Sequence, residues 1–414
     1  MQTGEGEMMV LDQQATRERG ETALRDFTPR MGAGYAKGRN FDRGPGAHRD
    51  VSQLSPFIRR RLVLERDAVA AALAAHGYEA AEKFVQEVIW RGYFKGWLER
   101  RPQVWDSYRD GLIRDLATLD TDRRLRRDVE NAEAGRTGIA CFDVWTQELV
   151  ETGYLHNHAR MWFASIWIFT LELPWRVGAD FFYRHLLDGD PASNTLGWRW
   201  VAGLHTRGKP YKAQAWNITR FTAQRFTPRP EDLAEDVHGL EGQEPEGLPD
   251  VMPLREARAP APGRPTALLI TEEDCRPEDF DLDGFDIRAI ATLTASHLRS
   301  PREVSGDVAG FEAGALADAA RRMRAEATSL RAGVPGDLAT WAARAGAAQI
   351  VTPYLPTGPL RDWLNEAETA LDAQGIPLCE MRRDWDAAIW PHATAGFFKV
   401  KKKIPQILHQ TGLS

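Results

Sequence analysis

Apolar positions along the chain change their spacing twice. From Phe57 to about Arg225 they recur every three or four residues, the period of a helix with one buried face. In AAEKFVQEVIWRGYFKGWLER (80–100), Phe84, Val88, Ile89, Tyr93 and Trp97 fall on one stripe. The stretch 143–175 contains a helix closed by Gly153 and then one that is apolar nearly all round (Trp162, Phe163, Ile166, Trp167, Ile168, Phe169), as a helix buried on every side must be. Residues 227–265 break the period with Pro, Gly and acidic residues and read as a linker, partly extended because its charges repel. Beyond Thr266, short β-branched runs (266–271, 285–293, 349–354, 376–382) alternate with helical segments (312–327, 337–347, and one opening at Gly358-Pro359). That alternation predicts a parallel sheet covered on both faces. The expected organisation is a loose lead-in over 1–29, a helical domain over 30–226, an acidic linker over 227–265 and an α/β domain over 266–414.

Composition narrows the class. With 43% hydrophobic and 27% charged residues the chain is globular, and no apolar run is long enough for a membrane helix. The first twenty residues lack the apolar core of a secretion signal, so a cytoplasmic protein is expected. Cys141, Cys275 and Cys379 are too few for an iron–sulfur cluster and too scattered for a disulfide framework. Net charge is −6, divided as +4 over 1–225, −5 over 226–264 and −5 over 265–414, which leaves the helical part as the one basic module.

Candidate chemistry concentrates in that module. Glu87, Trp90 and Arg91 share one side of a helix: a carboxylate, a flat aromatic and a guanidinium, suited to a ligand with a planar ring and a phosphate. Asn157, Arg160 and Met161 form a second stripe. A buried Arg160 requires a carboxylate, and the turn LLDGD offers Asp188 and Asp190, followed by Asn194, Trp198 and Trp200. The DxD pair lacks a third hard ligand, so no metal is expected there.

The stretch TGIACFDVWTQELVETGYLHNHARMWFASIWIFTLELPWRVGADFFYRHLLDGDPASNTLGWRW (137–200) closely resembles the FAD-binding core of the DNA photolyase/cryptochrome family. EVIWRGYF (87–94) resembles that family's ELIWREFY element, VSQLS (51–55) its phosphate-binding TSxLS loop, and Tyr35 a tyrosine preceding the loop. The resemblance covers roughly residues 30–225.

It implies FAD held on its phosphate side by Tyr35, Ser52, Gln53, Leu54 and Ser55, flanked by Glu87 and Arg91, and faced by Asn157, Arg160 and Asn194. Arg160 would pair with Asp188, and Asp190 would approach the ribityl and adenine side. Trp198 and Trp175 match the first two members of an electron-transfer chain. Glu87, Trp90, Asn157, Met161 and Trp200 match residues around the flipped-out pyrimidine dimer. The implied activity is light-driven repair of cyclobutane pyrimidine dimers by reduced flavin. The alternatives are a cryptochrome-like photoreceptor without repair and a flavin-binding relic. The implied partner is damaged DNA, single-stranded or locally opened, with the protein a monomer and any antenna chromophore unspecified.

Several positions depart from the family pattern. Val51 replaces a threonine of the phosphate loop, Phe84 a tryptophan near adenine, Gly92 an acid and His158 an arginine expected on DNA phosphate. Where the third electron-transfer tryptophan should fall, near 117–122, the sequence reads ATLDTD. The Rossmann-like domain follows the helical one, whereas family members usually carry it first. Residues 384–408 look like the end of an antenna domain, so the order suggests circular permutation. KVKKK (399–403) reads as a solvated charge run.

Overall fold

The computed structural model describes residues 14–413. Its centre is the helix Glu65–Glu99, broken at Gly77, whose φ of +69° no β-substituted residue adopts comfortably. The stripe at Phe84, Val88, Ile89, Tyr93 and Trp97 is buried, as its spacing predicts. Around it pack Gln103–Thr121, Ala140–Thr152, Asn157–Ser165, Trp175–His185 and Pro191–Val201. Gly153 closes one helix at φ +64°. The apolar run after Met161 continues as a π-helical turn, Ile166–Thr170, with Leu171 N–H donating to Ile166 O at 2.9 Å.

The α/β part is a five-stranded parallel sheet, β1 (Pro265–Thr271), β2 (Asp286–Thr294), β3 (Ala327–Arg331), β4 (Gln349–Pro353) and β5 (Leu378–Met381), in the order β3-β2-β1-β4-β5. Period-two alternation assigns β1's side chains to two cores. Ala267 and Leu269 meet Leu338, Leu360 and Leu364 under the outer helices. Leu268 and Ile270 join the same core as the helical region.

Three expectations need correction. The lead-in is not loose throughout: Arg17–Phe27 is a helix, capped by Thr16 and buried through Gly20, Leu24 and Phe27, while residues 1–13 lie outside the described residues. The helix read over 312–327 is Gly306–Arg322, and Ala327–Arg331 is instead the edge strand β3. ATSLR is half polar because only one edge of it pairs, so it carries no apolar run to read. The acidic segment 227–264 is not a free linker: Leu240 N–H donates to Ala202 O, Met252 N–H to Arg100 O, and Arg258 O accepts from Glu380 N.

The two parts also meet through charge. Three successive arginines after the 51–55 loop are buried against the loop that follows β1. Arg59 is bidentate on Glu273 (2.6 and 3.0 Å), Arg60 faces Glu272 at 3.1 Å, and Arg61 reaches Asp274 at 3.3 Å and Asp386 at 2.6 Å. Arg299 completes Glu272 and Arg383 completes Asp274. Burial opposes ionisation of Glu272, but Arg299, Arg60 and Arg59 overcome it and hold the carboxyl below its usual range. Glu99 accepts from Tyr354 Oη at 2.5 Å and Thr357 Oγ1 at 2.8 Å, both just past β4. Arg59 and Glu99 therefore meet the loops after β1 and β4, at the point where the strand order reverses and α/β sheets usually bind ligands.

The C-terminal segment Asp384–Gln410 crosses the long helix at two glycines. A Cβ on Gly96 would stand 2.8 Å from the Trp390 Cα, and one on Gly92 2.9 Å from Ile389. The departure at Gly92 thus has a packing reason.

Candidate functional site

Arg160 and Asp188 form the centre of the site. Arg160 Nη2 donates to Asp188 Oδ2 at 2.9 Å while its Nε donates to Leu155 O at 2.8 Å, which fixes the guanidinium plane. Asp188 is buried; burial opposes its ionisation, but Arg160 and then Arg91 outweigh it and keep the carboxyl below its usual range. Asp190 caps the helix Pro191–Val201 through Ser193 N at 2.8 Å and faces Lys95 at 3.5 Å and Arg59 at 3.9 Å. Its pKa is also lowered: desolvation acts against the charge, and Lys95, Arg59 and Arg91 prevail.

Glu87 is tied to Arg39, a residue one helical turn beyond Tyr35. Tyr35 is buried against Phe27 and Phe84, with the Phe84 ring 5.3 Å away and edge-on. In the 51–55 loop, Gln53 takes a positive φ of +51°, Leu54 is buried, and Ser52 and Ser55 remain half-exposed. Asn157 is exposed, and Met161 and Trp200 are partly so, with Trp200 stacked on Tyr211 at 5.3 Å. Trp90 is 36% exposed, and Phe397 stacks on it at 3.9 Å. Asn194 is buried, its Nδ2 donating to Ala179 O at 2.8 Å.

Trp198 packs against Phe182 (5.1 Å) and Trp167 (6.3 Å), and Gly178 leaves room for both indoles, since a Cβ there would come within 2.4 Å of Trp198. Trp175 neighbours Tyr108 at 6.0 Å, and Tyr108 neighbours Trp105 at 5.4 Å. His158 turns inward: it stacks on Trp162 at 4.3 Å and its Nδ1 lies 3.0 Å from Asn40 O. Burial lowers its pKa, so it is neutral near pH 7.

Among the site residues, Asp188 Oδ1, Asp190 Oδ2, Arg91 Nη1, Trp175 Nε1 and Trp198 Nε1 are buried without a hydrogen-bond partner within the protein. Buried polar groups are nearly always paired. An acceptor and a cationic donor beside the serine loop suit a group that carries hydroxyls and phosphate, which is what a flavin dinucleotide presents. The residues present therefore fit FAD. Arg39, Lys95, Arg59, Tyr108 and Phe397 were not singled out from the sequence. Lys95 one turn after Arg91 and Arg39 one turn after Tyr35 carried a spacing signal; Phe397 carried none.

This geometry defines a helical fold with a flavin-type site. Residues 84–229 match the family model described as the FAD-binding domain of DNA photolyase. The chain is 32% identical over 190 residues to a deoxyribodipyrimidine photo-lyase of Alkalihalophilus pseudofirmus, covering 45% of this chain and 38% of that one. It is 32% identical over 246 residues to that of a Synechococcus species, covering 52% and 48%. Among solved structures it is similar to a bacterial class III photolyase from Agrobacterium tumefaciens, at 26% identity and a TM-score of 0.42, covering 50% and 43%. The helical region is thus similar to the FAD-binding domain of the photolyase/cryptochrome family. The chain spans less than half the length of these two curated relatives.

Proposed function

We propose that this protein holds FAD between the 51–55 loop and the Arg160–Asp188 pair and repairs cyclobutane pyrimidine dimers in DNA. The observation that supports the reading is the match of residues 84–229 to the FAD-binding domain of DNA photolyase, within which Glu87, Trp90, Asn157, Met161 and Trp200 are each at least partly exposed. The cofactor, when bound and reduced, supplies the light-driven electron that opens the dimer. The chain's own residues do the rest. Ser52, Ser55 and Arg91 hold the anionic side of the cofactor; Arg160 stays oriented by Asp188 and Leu155 O. Trp200 and the free side of Trp90 offer aromatic walls to a base outside the stack, worth about 1–3 kcal/mol per base. Glu87, held by Arg39, presents a carboxylate to the pyrimidine edge.

A second reading, a photoreceptor without repair, is favoured by two observations: His158 is folded onto Trp162 rather than offered to phosphate, and Phe397 already covers one face of Trp90. With His158 neutral, the preferred substrate is a dimer in single-stranded or locally opened DNA.

The test is purification under dim light, an absorption spectrum, and repair of irradiated oligothymidine with the flavin chemically reduced. Flavin absorbance with loss of dimers under blue light is expected. Flavin without repair would hand the function to the photoreceptor reading. A protein that neither carries nor takes up FAD would end both.

A further inference from the structure

Behind the serine loop lies a buried polar cluster that the flavin site does not use. Asp42 and His48 precede the loop, and Glu148 comes from the helix Ala140–Thr152; one ligating atom of each lies within 4.8 Å of the other two. All three side chains are buried, with no more than 2% exposed. His48 Nε2 stands 2.9 Å from Glu148 Oε1, and His48 Nδ1 stands 3.9 Å from Asp42 Oδ1. Asp42 is oriented from outside: its Oδ2 accepts from Trp145 Nε1 at 2.9 Å and Arg225 Nη2 at 2.5 Å, and its Oδ1 accepts from Gly44 N at 3.1 Å. His48 Nδ1 and Glu148 Oε2 have no hydrogen-bond partner, although both are sealed from water. His156 stacks beside His48 at 5.7 Å, but its Nδ1 accepts from His158 N, so in the neutral ring Nε2 carries the hydrogen and is no ligand.

We infer that Asp42, His48 and Glu148 bind one first-row divalent cation of the zinc or manganese kind. One imidazole with two carboxylates suits those ions, whereas magnesium and calcium favour all-oxygen sets. Metal–ligand bonds of about 2.0–2.2 Å are compatible with two ligand atoms some 3 Å apart, the spacing of His48 and Glu148. Trp145 and Arg225 stand where the outer partners of a ligating carboxylate stand. An ion here fastens the segment leading into Ser52–Ser55 to the helix behind it. The sequence could not show this: the ligands are spread over more than a hundred residues and form no spacing motif.

The full-length protein is produced in medium supplemented with zinc and manganese, dialysed, and its metal measured by mass spectrometry, beside Glu148→Gln and His48→Gln. About one equivalent is expected in the wild type and a large loss in both variants. Chelation should lower the wild-type Tm, and re-addition of zinc or manganese should restore it. If a variant fails to fold, calorimetric titration of chelated wild type with zinc chloride and manganese chloride decides alone. Saturable binding of either ion supports the site. Absence of bound metal with no heat of binding overturns it. Undiminished metal in a folded Glu148→Gln variant overturns it too.

Discussion

Two charged regions of the molecule are built to opposite ends. At the domain junction, Arg59, Arg60 and Arg61 each meet a carboxylate from the loop after β1, and each is fully buried. Around Arg160, the one ion pair is lopsided: Asp188 is buried, Arg160 is 23% exposed, and Asp188 Oδ1 and Arg91 Nη1 are left over. At the junction each arginine faces a carboxylate out of reach of solvent, which fixes one arrangement of the two parts, although Arg60 Nε and Nη2, Arg61 Nε and Arg299 Nε make no hydrogen bond. The site's unpartnered atoms lie beside a guanidinium that solvent reaches, where a ligand can take them up. Burial of charge thus serves cohesion in one place and reception in the other.

The comparison can be broken first at the junction. Arg61→Ala leaves Asp386 without a cation in the interior, and stability should fall by about 3–5 kcal/mol, read from chemical denaturation. A loss below about 1 kcal/mol would mean that water reaches the junction. The flavin side should be less sensitive in stability and more so in binding. Asp188→Asn keeps the shape but removes the charge that orients Arg160; a cost of about 1–3 kcal/mol and at least a tenfold weaker hold on FAD are expected. Retention of flavin at the wild-type level after gel filtration would detach Asp188 from the cofactor.

Acid sharpens the contrast further. Burial pushes His185 and His205 down to about 4, with Arg184 adding to the effect at His185 and Arg199 at His205. Both rings are neutral in the fold, so the unfolded chain binds protons first as pH falls below about 6.5. Stability contributed by their neutrality is complete above that pH and is lost on the way down to about 4. Asp188 and Asp190, held low, add a second loss only below about pH 4. A Tm that is flat from pH 7 to 4.5 would contradict the first part; Asp188→Asn should flatten only the lower limb. The smallest effect on stability belongs to Trp198→Phe, about 1–2 kcal/mol. It should keep FAD yet abolish photoreduction, measured by bleaching of the oxidised flavin under blue light. Unchanged bleaching would place the donor elsewhere.

The helical period, the aromatic core and the parallel sheet were legible because each follows from local spacing; the need of buried Arg160 for a carboxylate pointed to Asp188 or Asp190, and the family resemblance to Asp188. β3 was not, since an edge strand keeps polar residues. Nor was the junction legible: RRR at 59–61 and EED at 272–274 each read as surface charge until the fold brings them together. Trp90 illustrates the limit within the site. Its place on the helix was readable, but its neighbour Phe397 lies some three hundred residues away.

That neighbour has a thermodynamic consequence. Any ring that settles on the covered face of Trp90 must first part it from Phe397, so a ligand on that face and the docked C-terminal segment exclude one another. Mass action then runs in both directions: saturating such a ligand would loosen residues 384–410, and anything that tightens their grip on Gly92 and Gly96 would raise the concentration of ligand needed. A segment remote in sequence would in this way set the affinity of a surface to which it contributes no ligand contact of its own.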